Sequence, residues 1–495
     1  MSNFLIAVGG SGAKLMHSLI HLGAAGMLPA NRTTLTALLV DPDENNGNIE
    51  ECRNLERIYH ACRELNVGKT DLFRGQISLK GPWTPITSQS DSLKEIFNYN
   101  QLANNDSEEA QLMDLFFERG ELEMSVKQGF RGRPAIGATV FANSVNFERG
   151  DWKDFRTAIK NASAAASPHI LFAGSVFGGS GASGVPTLVR LLSNHIQKDV
   201  SNARYGLILL LPYFQFRPVE GEAIQADPAS FPLATAEALK YYDERGFLSI
   251  CHTLYAVGEQ VPAEMSVSAV GAKEQRNEPH FIELVAGMGA LRFFDEDSRA
   301  QDYRLAVASR VADGKVTWDD LPCDPGLAGV ALRRFQNKLQ KLAVFAVAYH
   351  YIFYPQITEA LRAGGSKTTY WREHIEREHV APEAARTALA AVDNYTVKVL
   401  EWLLHISTPR RPNFVAGMVN PNVFGASQGQ DWRLKTLKEF DQSQLGGLLL
   451  NRPKAKIDDR TVLRNANASG STMRLGDAAG PGRLVRALFD SCEVE

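Results

Sequence analysis

Two glycine-rich stretches, Gly9-Gly10-Ser11-Gly12 and Gly178-Gly179-Ser180-Gly181-Ala182-Ser183-Gly184, each close a short apolar run, at residues 4–8 and 168–173. Apolar runs without polar alternation describe strands buried on both faces, the habit of parallel sheets. After the first cluster Leu15, Met16, Leu19, Ile20 and Leu22 recur at helical spacing, so the glycines sit where a strand turns into a helix. Residues 35–40 read as the next strand and stop at Asp41-Pro42-Asp43. Strand, helix, strand with a crossover of this length is a βαβ unit, which predicts an α/β fold with a parallel sheet. The second cluster repeats the pattern, with a helix over 185–197 and strands at 204–212 and 254–257.

Between Glu44 and about Gly129 the chain turns polar, with amphipathic pieces at 52–65 and 109–119, and reads as a helical insertion at the sheet's edge. A helix over 279–294, a hairpin over 304–318, a long helix over 329–354 and further helix over 356–405 follow. The expected organisation is a first domain at 1–278 carrying that insertion at 44–129, a central helix at 279–300, a smaller α+β second domain at 301–406, and a C-terminal extension at 407–495. Prolines, glycines and basic residues in the extension predict irregular or partner-dependent structure.

Composition excludes several function classes. Among 495 residues, 53 basic and 56 acidic side chains leave a net charge of −3, so no overall excess draws the chain to nucleic acid or an anionic membrane. The longest apolar helical stretch, 342–355, is interrupted by His350 and falls short of the ~18–20 residues that span a bilayer. Five cysteines form no C-x-x-C pair, and the histidines show no metal-ligand spacing. The first residues lack the basic region of a signal peptide. These features predict a reduced, cytoplasmic protein without membrane insertion or direct nucleic-acid binding.

Backbone N–H groups at a helix start are unsatisfied and carry partial positive charge, and glycine lets an anion approach them closely. Phosphate loops are therefore the chemistry to test. Lys14 is preceded by Ala13 and followed by Leu15, which fails the Walker pattern. A dinucleotide fingerprint starting at Gly10 meets Leu15 where its last glycine belongs, although Asp41 suits a ribose. A Rossmann-type oxidoreductase binding NAD or FAD stays open as an alternative, but its pyrophosphate needs one glycine turn and leaves the second unused. The nucleophile-elbow pattern G-x-S-x-G is absent around Ser175.

Two glycine turns on one sheet can hold a polyphosphate between them, and this arrangement resembles the tubulin and FtsZ superfamily of GTP-binding, filament-forming proteins. The segment from Phe177 to Gly184 resembles that family's G-G-G-T-G-[TS]-G loop, with Ser180 for the first threonine and Pro186 following. The resemblance implies GTP/GDP with Mg²⁺ as ligands. It assigns the phosphates to Gly9, Gly10, Ser11, Gly12, Ala13 and Lys14, and to Gly178, Gly179, Ser180, Gly181, Ala182 and Ser183. Asp41 and Asp43 fall where a loop approaches metal and phosphates. Pro134 and Gly137 sit in a turn similar to N-P-x-x-G at the γ-phosphate. Arg217 and Glu220 match the ribose side, while Asn277, Phe281 and Glu283 reach the base from the central helix. Lys14 departs from the family's usual short amide side chain, and Glu283 stands where the family usually has Asn or Asp.

The G-x-x-N-x-D hydrolysis loop is not present in standard form. Asp319 and Asp320, in Thr317-Trp318-Asp319-Asp320-Leu321-Pro322, are its nearest equivalent. A solvated turn or helix cap reads equally well there. The resemblance further implies head-to-tail self-assembly with nucleotide at the subunit interface, GTP hydrolysis that depends on assembly, and a protein partner on the C-terminal extension. A nucleotide-binding switch without hydrolysis, within a multi-protein system, is the other alternative.

Overall fold

The computed structural model describes residues 2–86, 91–127, 129–215, 228–259, 262–264, 276–296, 304–308, 315–318, 321, 330–362, 380–408, 415–428, 431–450 and 478–492. In chain order the elements that position the site are β1 (Ser2–Val8), α1 (Gly9–Ala24), β2 (Thr34–Val40), α2 (Gly47–Arg63), β3 (Gln76–Trp83), α3 (Pro134–Ser144), α4 (Gly150–Ser163), β4 (His169–Ser175), α5 (Gly179–Ile196), β5 (Arg204–Leu210), α6 (Phe231–Glu244), β6 (Thr253–Val257), α7 (Phe281–Asp295), β7 (Arg304–Ala308), α8 (Val330–Ala348), α9 (Pro382–Ser407), β8 (Gly425–Gln428), β9 (Asp431–Leu434) and α10 (Gly480–Asp490).

The strands β1 to β7 form one sheet in the order β3-β2-β1-β4-β5-β6-β7. Every neighbouring pair is parallel. The fold is therefore α/β with a parallel sheet, as the apolar runs predict. Alternate residues of the central strands enter two separate cores. Leu5, Ala7, Leu171 and Ala173 pack with α1, α2, α7, α8 and α9, whereas Phe4, Ile6, Val8, Ile170 and Phe172 pack with α3, α4 and α5. Period-two alternation with both sets apolar is what a sheet covered on both faces requires.

Three regions differ from the sequence expectation. The polar 44–129 stretch is not simply an edge insertion: α2 is a core crossover helix packed on α1, and β3 extends the sheet. Lys80, Gly81 and Pro82 hide that strand in the sequence, and an edge position is where a strand tolerates proline. Only the short helices between 93 and 123 match the idea of a helical add-on. Residues 304–318 do not form a hairpin: β7 joins the main sheet beside β6, while Lys315–Val316 pairs in parallel with Val415–Ala416.

The described part of the extension is packed, not irregular. A β8–β9 hairpin lies against α9, Phe424, Leu445 and Leu448 are buried, and α10 buries Leu484, Leu488 and Phe489. Its apolar residues are spread between glycines and prolines, which conceals their shared core in a linear reading. Within the stretch 279–300, α7 covers Phe281–Asp295. Among the described residues no helix is long and apolar enough to cross a membrane.

Candidate functional site

The chain leaves β1 into α1 on one face and leaves β4 into α5 on the other, and β1 and β4 are adjacent. The connections to β2 and β5 thus run in opposite directions, and a crevice opens between them at the carboxyl ends of the strands. This crevice gathers motifs far apart in sequence. A Cβ built on Gly9 would lie 3.5 Å from Ser180 Cβ, 3.7 Å from Gly181 N and 3.9 Å from Asp41 Oδ2. Gly9 has φ +76°, in the left-handed region where glycine alone is unstrained. A Cβ on Gly181 would run into the backbone N and O of Ser175, so the start of α5 is seated directly on the end of β4.

Neither α1, entered from Val8, nor α5, entered from Gly178, has a side-chain cap or an acidic residue in its first turn. By contrast, Asn46 caps α2, and His280 with Glu283 forms a capping box on α7. By helix geometry the first-turn N–H groups of α1 and α5 have no partner within their own helices, and the two starts lie side by side where Gly9 approaches Ser180 and Gly181. Gly10, Ser11, Gly178 and Ser180 remain partly exposed, whereas Gly9, Gly12, Ala13, Gly179 and Gly181 are buried behind them. Two residues of the second cluster support the turn from behind. The Ser183 hydroxyl donates to Gly179 O at 2.6 Å, and Ala182 O accepts from Tyr242 Oη at 3.0 Å.

Asp41 closes the crevice beside the glycines. It is buried, and Oδ1 accepts from Asp43 N at 2.8 Å. Burial pushes its carboxyl up to about 7; the neighbouring Asp43 carboxylate adds to this, and the Asp43 N–H opposes it. Asp43 in turn accepts from Asn45 N. A buried carboxyl left partly protonated near neutrality is one that a cation or hydroxyl donor would stabilise. Among the described residues no group of three or more His, Cys, Asp and Glu that could hold a metal ion is present.

The turn preceding α3 borders the second cluster. Gly179's added Cβ would lie 3.1 Å from Gly132 N, and Gly137 packs so closely on α5 that its added Cβ would meet the Ser183 side chain. Gly137 therefore serves helix packing, whereas Pro134, the first residue of α3, is exposed. Asn277 pairs with Asn48: its N–H donates to Asn48 Oδ1 at 2.9 Å, and Asn48 Nδ2 donates to Asn277 Oδ1 at 3.3 Å. Asn48 Nδ2 is also 3.0 Å from a Cβ on Gly10, which ties Asn277 to the first cluster. The run Asn45-Asn46-Gly47-Asn48 was the available sequence signal for this link, because asparagine at a helix start caps and turns the chain.

Phe281 belongs to the core, and Glu283 is already engaged. Lys14 Nζ lies 2.5 Å from Glu283 Oε1, Tyr213 Oη donates to the same oxygen at 2.9 Å, and His280 N donates to Oε2 at 3.0 Å. The two departures from the family pattern thus satisfy one another as a buried pair. Arg217, Glu220, Asp319 and Asp320 lie outside the described residues.

A cavity of about 410 Å³ begins at Lys14, Asn48, Asn277 and Glu283 and runs beneath α9 and β9. A larger one, about 1000 Å³, lies at the far end of α1 beside Ala25 and α10, away from both glycine clusters. The crevice with its adjoining smaller cavity defines an α/β protein that presents two uncapped helix starts at one topological switch point. No protein-family model matches this sequence, and comparison with curated proteins gives no match.

Proposed function

We propose that this chain is a GTP-binding protein of the tubulin/FtsZ type, holding the polyphosphate between the starts of α1 and α5. The observation that carries the reading is the convergence of two uncapped, acid-free, glycine-rich helix starts on one crevice. Each start offers several N–H donors and a partial positive charge, and together they suit a chain of phosphates better than a single pyrophosphate. Strand order alone does not separate this from a dinucleotide-binding fold, which shares it. The second uncapped start favours the polyphosphate reading.

Asp41 and Asp43 fit a Mg²⁺ ion shared with the phosphates, because Mg²⁺ takes few protein carboxylates and completes its shell with phosphate and water. The ion would neutralise phosphate charge. The chain's own residues position the ligand: the glycines allow close approach, Asp41 limits the crevice, and Asn48 with Asn277 marks its opening into the smaller cavity. Head-to-tail assembly, and hydrolysis completed by Asp319 or Asp320 of a neighbouring copy, extend the proposal from sequence resemblance. A partner for the extension rests on the same ground, whereas a cytoplasmic location rests on the cysteine usage and the first residues of the sequence.

Titration of purified protein with GTP, ATP and NAD in the presence of Mg²⁺, with Gly181→Val as control, tests the proposal. GTP binding that the control abolishes is the expected result, and stabilisation by NAD alone refutes it. A hydrolysis rate per molecule that rises with protein concentration supports a shared site. Intact GTP binding with no turnover selects the switch alternative.

A further inference from the structure

The smaller cavity is walled by two parts of the molecule. Lys14, Asn48, Asn277 and Glu283 form the wall beside the glycine crevice, whereas Trp402, His405, Trp432 and Arg433 come from α9 and the β8–β9 hairpin. The polar groups expected to read a base are consumed. Glu283 is held by Lys14, Tyr213 and its own helix start, and Lys398 bridges Glu51 and Glu401 across the floor. Trp402 is committed as well: its indole donates to Ser18 Oγ at 3.3 Å, and its ring stacks on His21 with centroids 4.8 Å apart. Trp432 differs. It is half-buried against the core, and among the described residues no aromatic ring stacks on it.

We infer that the β8–β9 hairpin supplies the nucleoside platform of this protein, with the Trp432 indole stacking on the base of a nucleotide whose phosphates lie at α1 and α5. The inference rests on the proposed nucleotide site and adds to it a residue of the C-terminal extension. Stacking needs only a π-face, so it tolerates an environment in which Glu283 is occupied and base-edge hydrogen bonds are few. It also predicts weak discrimination between purine bases. Because the hairpin packs on α9, and α9 packs on α2, an occupied pocket is linked through direct contacts to the C-terminal part of the chain.

Binding of GTP and of inorganic triphosphate, each with Mg²⁺, to the full chain and to the Trp432→Ala and Trp432→Phe variants tests the inference. Trp432→Ala is expected to weaken GTP binding about tenfold or more and to leave triphosphate binding within about twofold, while Trp432→Phe retains most of the GTP affinity. GTP should also quench tryptophan emission in the wild type, and this quench should shrink in Trp432→Phe. Unchanged GTP affinity in Trp432→Ala overturns the inference. So does an equal loss of GTP and triphosphate, which marks Trp432 as packing alone. If the wild type binds triphosphate but binds GTP no more tightly, the phosphate site stands and the platform falls. If it binds neither, the proposed function itself is refuted.

Discussion

Asp41→Asn separates the electrostatic cost of the crevice from its shape. Asparagine keeps an oxygen able to accept from Asp43 N and removes only the charge. Burial lifts the carboxyl from 3.8 to about 7, so ionising it in the folded protein costs about 4 kcal/mol more than in the unfolded chain. A folded-state value raised above the unfolded one gives stability that is full below pH 3.8 and is lost as pH rises to about 7. Between pH 5 and 8 this amounts to about 3 kcal/mol lost by the wild type and absent from the variant.

The absolute pH profile also contains His17, which burial lowers to about 4 and which therefore destabilises the fold as pH falls from 6.5 towards that value. The difference between variant and wild type cancels that contribution. Urea unfolding at pH 5 and pH 8, without nucleotide, should show the variant gaining about 3 kcal/mol on the wild type over this interval. At pH 8, Mg²⁺-dependent ligand affinity should move the opposite way. A stability difference that is the same at both pH values refutes the reasoning, because Asp41 would then be ionised in the fold without penalty.

Other substitutions probe separate parts of the site. Gly181→Val places atoms on the backbone of Ser175 and should both abolish nucleotide binding and lower stability by about 1–3 kcal/mol or more, read by thermal unfolding with and without GTP. Lys14→Met leaves Glu283 buried without its cation and should cost about 3–5 kcal/mol in urea unfolding. Adding Glu283→Gln should recover part of that loss, because the charge goes while the amide oxygen can still accept from His280 N and the amide NH₂ can donate to Tyr213 Oη. Gly482→Ala drives a methyl group into the backbone of Asn66 and should loosen α10, seen as faster proteolysis of the C-terminal segment.

The sheet was legible because its strands are buried on both faces: runs such as Leu5-Ile6-Ala7-Val8 need no partner knowledge to be read. The edge strand β3 was not, since a strand with little buried surface carries Lys80, Gly81 and Pro82 without penalty. The glycines and Asp41 announced a crevice through local chemistry, and they meet there. What lines the adjoining cavity could not be read locally. The Lys14–Glu283 pair joins α1 to α7, and Trp432 reaches the site only because the hairpin folds back over α9. Long-range side-chain pairing leaves no periodic trace in a sequence.

A crystal structure of the protein with GTP and Mg²⁺ tests the central claim most directly. The account predicts phosphate oxygens within hydrogen-bond distance of backbone N–H groups in both Gly9–Gly12 and Gly178–Gly181, with the nucleoside end entering the cavity beneath β9. A ligand bound against one glycine cluster only, or in the cavity at the far end of α1, would contradict it.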